Sequence, residues 1–240
     1  MKGLIDTHFH LDHYKDYLVK AKLISKLEQY TICVTNSPGV YRSCKNLGLE
    51  SEYLKFALGY HPLESNLCKT DLQDFLRQLS FTNYIGEFGL DYSSRSAMDK
   101  QLQLYSFETI VEAGSANNKV MTIHLRNAEE DAIRILRKYH PKKAIIHWYN
   151  GSALNMDRLL EIGCFFSINS NMVNAKVQNM YHAIPANRIL VESDGPYSKV
   201  NGKKYTPEML LVSYQNIAKF YDDRDFVTTV FDNFKTLLTK

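Results

Sequence analysis

Short apolar runs rich in β-branched and aromatic residues alternate along the chain with longer stretches in which apolar residues recur every three or four positions. Strands joined by helices in a parallel α/β sheet produce that alternation. Eight runs stand out as strands: Leu4–Thr7, Thr31–Thr35, Lys55–Leu58, Tyr84–Gly86, Val120–Ile123, Ala144–Ile146, Cys164–Ile168 and Ile189–Val191. Between them, sets such as Leu102, Tyr105, Phe107, Ile110 and Val111, or Ala132, Ile133, Ile135 and Leu136, have the helical period that covers a sheet. Two more helical segments, near Pro207–Tyr221 and Asp225–Leu238, follow the eighth run. Eight strands with intervening helices predict an α/β fold closed into a (β/α)8 TIM barrel. No internal repeat, low-complexity tract or Pro/Gly-rich linker divides the sequence, so residues 1–240 are expected to form a single barrel domain.

Composition agrees with that picture. The 240 residues suit one barrel, and 45% hydrophobic with 23% charged residues is ordinary for a globular chain. A net charge of +3 is too mild for a protein that grips nucleic acid mainly by neutralising phosphates, so any such affinity must be local. Cys33, Cys44, Cys68 and Cys164 show no CxxC spacing and are expected to be reduced. No apolar stretch approaches the roughly 18 residues that span a bilayer. Met1-Lys2-Gly3 does not open an apolar leader, and a cytoplasmic location is expected.

Barrel active sites collect at the C-terminal ends of the strands, and five of the 8 histidines fall there. His8 and His10 end the first strand, where alternation points both to one side. His61 ends the third strand, Glu87 and Asp91 the fourth, His124 the fifth, His147 the sixth and Asp194 the eighth. Imidazoles with a central carboxylate and a further acid are the donors that hold a pair of divalent ions, with magnesium, manganese and zinc all admissible. We assign His8, His10 and Asp194 to one ion and His124 and His147 to the other, with Glu87 bridging. Such ions lower the pKa of water toward about 7 and clamp a phosphoryl oxygen, and their excess positive charge favours an anionic substrate.

Six motifs in order then carry a family resemblance. Asp6-Thr7-His8-Phe9-His10-Leu11-Asp12, Gly59-Tyr60-His61-Pro62, Gly86-Glu87-Phe88-Gly89-Leu90-Asp91-Tyr92, His124-Leu125-Arg126-Asn127-Ala128, His147-Trp148-Tyr149-Asn150-Gly151-Ser152 and Glu192-Ser193-Asp194-Gly195-Pro196-Tyr197 resemble the successive motifs of the TatD family of metal-dependent deoxyribonucleases. The resemblance covers nearly the whole chain. It implies a barrel of the metallo-dependent hydrolase superfamily, metal at the residues assigned above, and cleavage of phosphodiester bonds in DNA. That activity is often 3′ to 5′ exonucleolytic, so single-stranded DNA or 3′ ends are the expected partners. Three departures stand out. Trp148-Tyr149-Asn150 replaces the usual Cys-Phe-Ser, and Asn127 replaces an Asp. Lys204-Tyr205-Thr206-Pro207 stands where the family has Arg-Asn-x-Pro, which makes Lys203 or Lys204 a candidate point-charge contact to substrate.

Other residues carry two readings each. His61 either meets a substrate phosphate or water, as a catalytic or binding group, or fixes the loop at Pro62. Asp91 is a general acid or the orienting partner of a histidine ligand, and Arg126 grips a phosphate or pairs with an acid. Glu192 tunes the first ion, holds His8, or forms a buried ion pair. Trp148, Tyr92 and Tyr197 offer stacking faces for an unpaired base or simply pack. His13, His140 and His182 read as surface or loop residues. Two competing functions keep the fold: hydrolysis of another ester, amide or phosphoester bond, and a nuclease-like subunit of a larger complex such as a bacterial defence system.

Overall fold

The computed structural model describes residues 3–96, 98–173 and 178–240. Met1 and Lys2, on which the reading of the N-terminus rests, lie outside the described residues, as does Ala97 in the segment after Asp91. The strands that build the barrel are β1 (Ile5–Phe9), β2 (Tyr30–Cys33), β3 (Leu54–Phe56), β4 (Leu58–Tyr60), β5 (Tyr84–Asp91), β6 (Val120–Arg126), β7 (Ala144–His147), β8 (Phe165–Ile168) and β9 (Ile189–Val191). They pair in parallel in the order β1-β2-β3 and β4-β5-β6-β7-β8-β9.

The third expected strand is two short strands interrupted at Ala57, whose N–H donates to the Cys33 carbonyl. β3 pairs with β2 and β4 with β5, so this one position joins the two sheets. Just above the break, Thr35 N–H donates to the Gly86 carbonyl and Glu87 N–H to the Thr35 carbonyl. On the opposite side the first and last strands meet: Asp194 N–H donates to His8 O at 2.8 Å, His10 N–H to Gly195 O at 3.0 Å, and the Thr7 hydroxyl to Val191 O at 3.0 Å. The ring of eight strand positions is thereby closed into a (β/α)8 barrel. Buried Asp6 sits on this seam, its Oδ1 accepting from Ser193 N–H at 2.8 Å and His8 N–H at 3.2 Å. Burial still pushes its carboxyl up to about 7, against the pull of those hydrogen bonds.

Helices cover the outside at Tyr17–Lys26, Pro38–Asn46, Lys69–Gln78, Lys100–Ala116, Glu129–Tyr139, Ala153–Ile162, Leu210–Tyr221 and Phe226–Thr239. Side chains of Ser37, Asp99 and Ser152 accept from backbone N–H groups that the first helical turn leaves unpaired. His140, Gly163 and Asp222 close helices in the left-handed conformation. Phe9, Phe56, Phe88, Phe107, Phe165 and Phe166 are fully buried in one hydrophobic cluster. Each such side chain stabilises the barrel by about 1.5–3 kcal/mol on the usual area scale. All four cysteines are free thiols, and only Cys68 is exposed. Among the described residues no helix is long and apolar enough to cross a membrane.

Two differences from the sequence expectation bear on function. β5 runs on to Asp91, so Glu87 lies at the middle of the strand and Asp91 is its last residue, instead of both following its end. Gly89 permits this, because a Cβ there would fall 1.8 Å from the His124 carbonyl oxygen. Past β9, Lys199–Val200 and Lys203–Lys204 form a small antiparallel hairpin across Asn201 and Gly202, both with positive φ as a primed two-residue turn requires. Two-residue strands carry too little pattern to be read from hydrophobicity.

Gly89→Ala must separate β5 from β6 at the point where each presents a site residue. Urea unfolding should show a loss of about 3 kcal/mol, the upper end of the cost of overpacking. Unchanged stability would show that the strands do not approach so closely.

Candidate metal centre

Period-two alternation in β1 carries His8 and His10 to the same side, where their Nε2 atoms stand 3.3 Å apart. From β5, Glu87 Oε2 lies 3.4 Å from His8 Nε2 and 3.3 Å from His10 Nε2. From beyond β9, Asp194 Oδ1 lies 3.6 Å and 3.3 Å from the same two nitrogens. All four residues are buried. Four donors held tetrahedrally at the 2.0–2.1 Å typical of zinc–imidazole and zinc–carboxylate bonds stand about 3.3–3.4 Å from one another. The five measured edges, 3.3 to 3.6 Å, match that figure.

The other carboxylate oxygen, Glu87 Oε1, faces a second set. His124 Nδ1 is 2.9 Å away, His61 Nε2 3.1 Å and His147 Nε2 3.2 Å. The remaining nitrogens of these rings decide their roles. Asp91 Oδ2 meets His124 Nε2 at 2.9 Å, and Glu192 Oε2 meets His147 Nδ1 at 3.2 Å. Ionised carboxylates only accept, so Asp91 and Glu192 each hold a ring proton on those nitrogens, and a second proton on His124 Nδ1 or His147 Nε2 faces Glu87 until its loss frees a lone pair there for a metal. His61 is the opposite case: its Nδ1 accepts the Leu63 N–H at 3.1 Å, which leaves the proton of the neutral ring on Nε2. His61 therefore donates toward Glu87, and has no lone pair to offer a metal there.

Charge balance agrees with the geometry. Burial alone would push Glu87 up, but His61, His147, His8 and the hydrogen bond to His10 hold it well below the usual carboxylate range. Burial would lower His10, yet Asp194 and Glu87 outweigh it and raise the ring to about 10. His147 is raised well above its ordinary value for the same kind of reason, burial being overcome by Glu192 and Glu87. His61 is lowered, mainly by burial, which suits a neutral ring. The cluster thus demands positive charge on both sides of Glu87, which protons or divalent ions supply. The donor set fits ions: imidazole nitrogens and carboxylate oxygens converge at ligand spacing, with orienting acids behind two of the rings.

Supporting residues fix the arrangement. Glu192, wholly buried, takes a short hydrogen bond from Ser167 and one of 2.9 Å from Asn169 Nδ2. It therefore holds His147, not His8. Asp194 adopts φ +48°, a strained conformation for a residue with a Cβ, and is pinned by its N–H to His8 and by Tyr197 and Ser198 N–H groups on its carbonyl.

A cavity of about 550 Å³ opens over the cluster, bordered by Arg95, Arg126, Trp148 and Tyr197. Among the described residues neither arginine forms an ion pair. Lys204 does not line the cavity; it is exposed on the hairpin, and Lys203 is exposed beside it. The expected substitution of lysine for the family arginine is therefore not met at the cavity, because the tight turn turns that segment into a separate ribbon. Tyr92 also lies outside the cavity lining, its hydroxyl donating to Asp131 and its ring under Lys100. His13 is exposed, as expected of a surface residue, and it also stacks on His10 at 4.7 Å and meets the Tyr197 hydroxyl at 2.8 Å. Arg95 went unread, though its place in a loop after a barrel strand is where such contacts arise.

Known proteins resemble the chain along almost its whole length. The sequence profile of the TatD-related DNases matches residues 5–239. A relative from Buchnera aphidicola, described as an uncharacterized metal-dependent hydrolase, is 28% identical over 98% of both chains. The deoxyribonuclease Tat-D of Schizosaccharomyces pombe is 28% identical over 80% of this chain and 66% of its own. The crystal structure of the TatD homologue YjjV from Escherichia coli superposes with a TM-score of 0.83 at 18% identity, covering 98% of this chain and 97% of that one. A TatD family hydrolase from Entamoeba histolytica gives 0.81 at 18% identity, with 98% of each covered. With a match that spans the barrel from its first strand to its last helix, the chain belongs to the TatD family of metal-dependent hydrolases.

Proposed function

We propose that the chain hydrolyses phosphodiester bonds in DNA with two divalent ions, held by His8, His10, Glu87 and Asp194 on one side and by Glu87, His124 and His147 on the other. The observation that carries this is the near-tetrahedral spacing of four donors around one side of Glu87, with a second imidazole set around the other. Magnesium, manganese and zinc are all compatible with these donors. The ions supply Lewis acidity and a lowered pKa for water. Both donor sets border the cavity; the first has four protein groups and the second three, so the second is the one left with an open position of the kind a reactive ion requires.

The chain's own residues do the rest. Asp91 and Glu192 fix the tautomers and planes of His124 and His147. Arg126 and Arg95, unpaired at the cavity, draw the phosphate and favour an anion over a neutral ester or amide. His61 holds a proton at Nε2 at the cavity wall, ready to donate to a phosphoryl or leaving oxygen. DNA is favoured over other phosphodiesters by the deoxyribonuclease relatives, and 3′ to 5′ removal of nucleotides from single strands or 3′ ends rests on the family resemblance. Residues 1–240 act as one unit in this reading, and the four free thiols suit a reducing compartment such as the cytoplasm.

Glu87→Gln should lose bound metal, measured by elemental analysis after gel filtration, and with it cleavage of a labelled single-stranded oligonucleotide. His61→Asn should keep the metal while kcat falls about 10²-fold or more, the usual share of a proton donor. Full cleavage by the Glu87 variant, or metal loss in the His61 variant, would contradict these roles.

Loading also has a proton signature. His10, raised to about 10, carries a proton at pH 7 in the metal-free protein and must give it up to ligate. Titration calorimetry at pH 7 in buffers of different ionisation enthalpy should show proton release, and apparent affinity should fall as pH is lowered. Metal binding without proton release would contradict the ligand assignment.

A further inference from the structure

The cavity rim carries an aromatic side chain that is exposed yet held in place. Tyr197 has 60% of its surface open, while its backbone N–H and that of Ser198 both donate to the Asp194 carbonyl. Its hydroxyl meets His13 Nδ1 at 2.8 Å. His13 Nε2 faces Asp12 Oδ2 at 3.5 Å, which places the ring proton on Nε2 and makes Nδ1 the acceptor of the tyrosine hydroxyl. The Tyr197 ring stands at 87° to His10 at 5.4 Å and at 87° to His13 at 5.6 Å. His13 is itself stacked on buried His10 with an interplanar angle of 3°. With its hydroxyl committed to His13, what Tyr197 offers the cavity is aromatic surface, already fixed in orientation.

Resting on the nuclease reading, we propose that Tyr197, clamped by His13, is a stacking platform for an unpaired nucleobase next to the scissile phosphate. Base–aromatic stacking tolerates any sequence, and orienting the ring beforehand removes the cost of ordering it on binding. The chemistry around it suits a nucleotide: a metal-ligand cluster at the floor, unpaired Arg95 and Arg126 for phosphates, and Trp148 as a further aromatic wall. A base inside a duplex has both faces covered by its neighbours, so only a single strand, a frayed end or an extruded base can use the platform. This gives strand preference a residue-level cause, and gives His13 a function as the residue that positions Tyr197.

The test uses the full chain loaded with manganese and two single-stranded oligonucleotides that differ only in whether the 3′-terminal residue carries a base or is abasic. Binding is followed by fluorescence anisotropy and cleavage by product analysis, with a third oligonucleotide bearing terminal 2-aminopurine to report stacking. Removing the base should weaken wild-type binding roughly 5- to 150-fold. Tyr197→Ala should lose that discrimination and leave 2-aminopurine unquenched. Tyr197→Phe and His13→Ala, which each remove the hydroxyl–imidazole bond, should each weaken both without abolishing them. Equal handling of the two oligonucleotides by the wild type, or unchanged discrimination in Tyr197→Ala, overturns the platform while leaving the nuclease reading intact. Base-dependent binding that needs Tyr197 without cleavage supports the platform and overturns the nuclease reading instead.

Discussion

A carboxylate cut off from water needs positive charge from its neighbours, and the centre of this barrel is arranged around that need. Glu87 is 3% exposed, and its two oxygens face five imidazole rings. Isolating one ionised carboxylate in such a place would cost several kcal/mol. Protons on the rings offset that cost in part, and divalent ions do so while adding reactivity. Because each oxygen addresses a different set of nitrogens, one side chain couples two positive centres, and the position of Glu87 sets the spacing between them.

Everything that fixes Glu87 therefore bears on function. Its N–H is tied to the Thr35 carbonyl across the broken third strand, and Gly89 brings β5 against His124. On the far side of the barrel the seam between β1 and the segment after β9 delivers Asp194 to His8 and His10 through backbone hydrogen bonds, with Asp6 buried beneath. Closing the barrel and assembling the first donor set therefore rest on the same backbone hydrogen bonds. The second donor set depends more on side chains: Asp91 behind His124, and Glu192 with Ser167 and Asn169 behind His147. The cavity above inherits two arginines without acidic partners and two aromatic walls.

Much of this was legible in the sequence because it follows from periodicity. Eight apolar runs mark eight strand positions, and alternation alone brings His8 and His10 together. The order of histidines and acids at strand ends is enough to place six of them around one point. What escaped depended on local backbone geometry. The long reach of β5 goes with the close approach of Gly89 to the His124 carbonyl, and the break at Ala57 with a backbone N–H turned to Cys33, neither of which a hydrophobic pattern records. His61 was left open between binding and structure because its role turns on the Leu63 N–H, a backbone contact two residues on. Glu192 sits on the site side as alternation expects, and it meets His147 instead of His8. Lys204 lies off the cavity because Asn201-Gly202 turns its segment into a hairpin, and the ring contacts of exposed His13, four residues past β1, leave no periodic signal.

The most direct test of the central claim is anomalous diffraction at the manganese edge from crystals of the full chain soaked in that metal. The account predicts two peaks, one at each oxygen of the Glu87 carboxylate, the first also touching His8, His10 and Asp194 and the second His124 and His147 but not His61. No peak at Glu87, or a single peak on His61, His124 and His147 with the His8–His10 side empty, would contradict it.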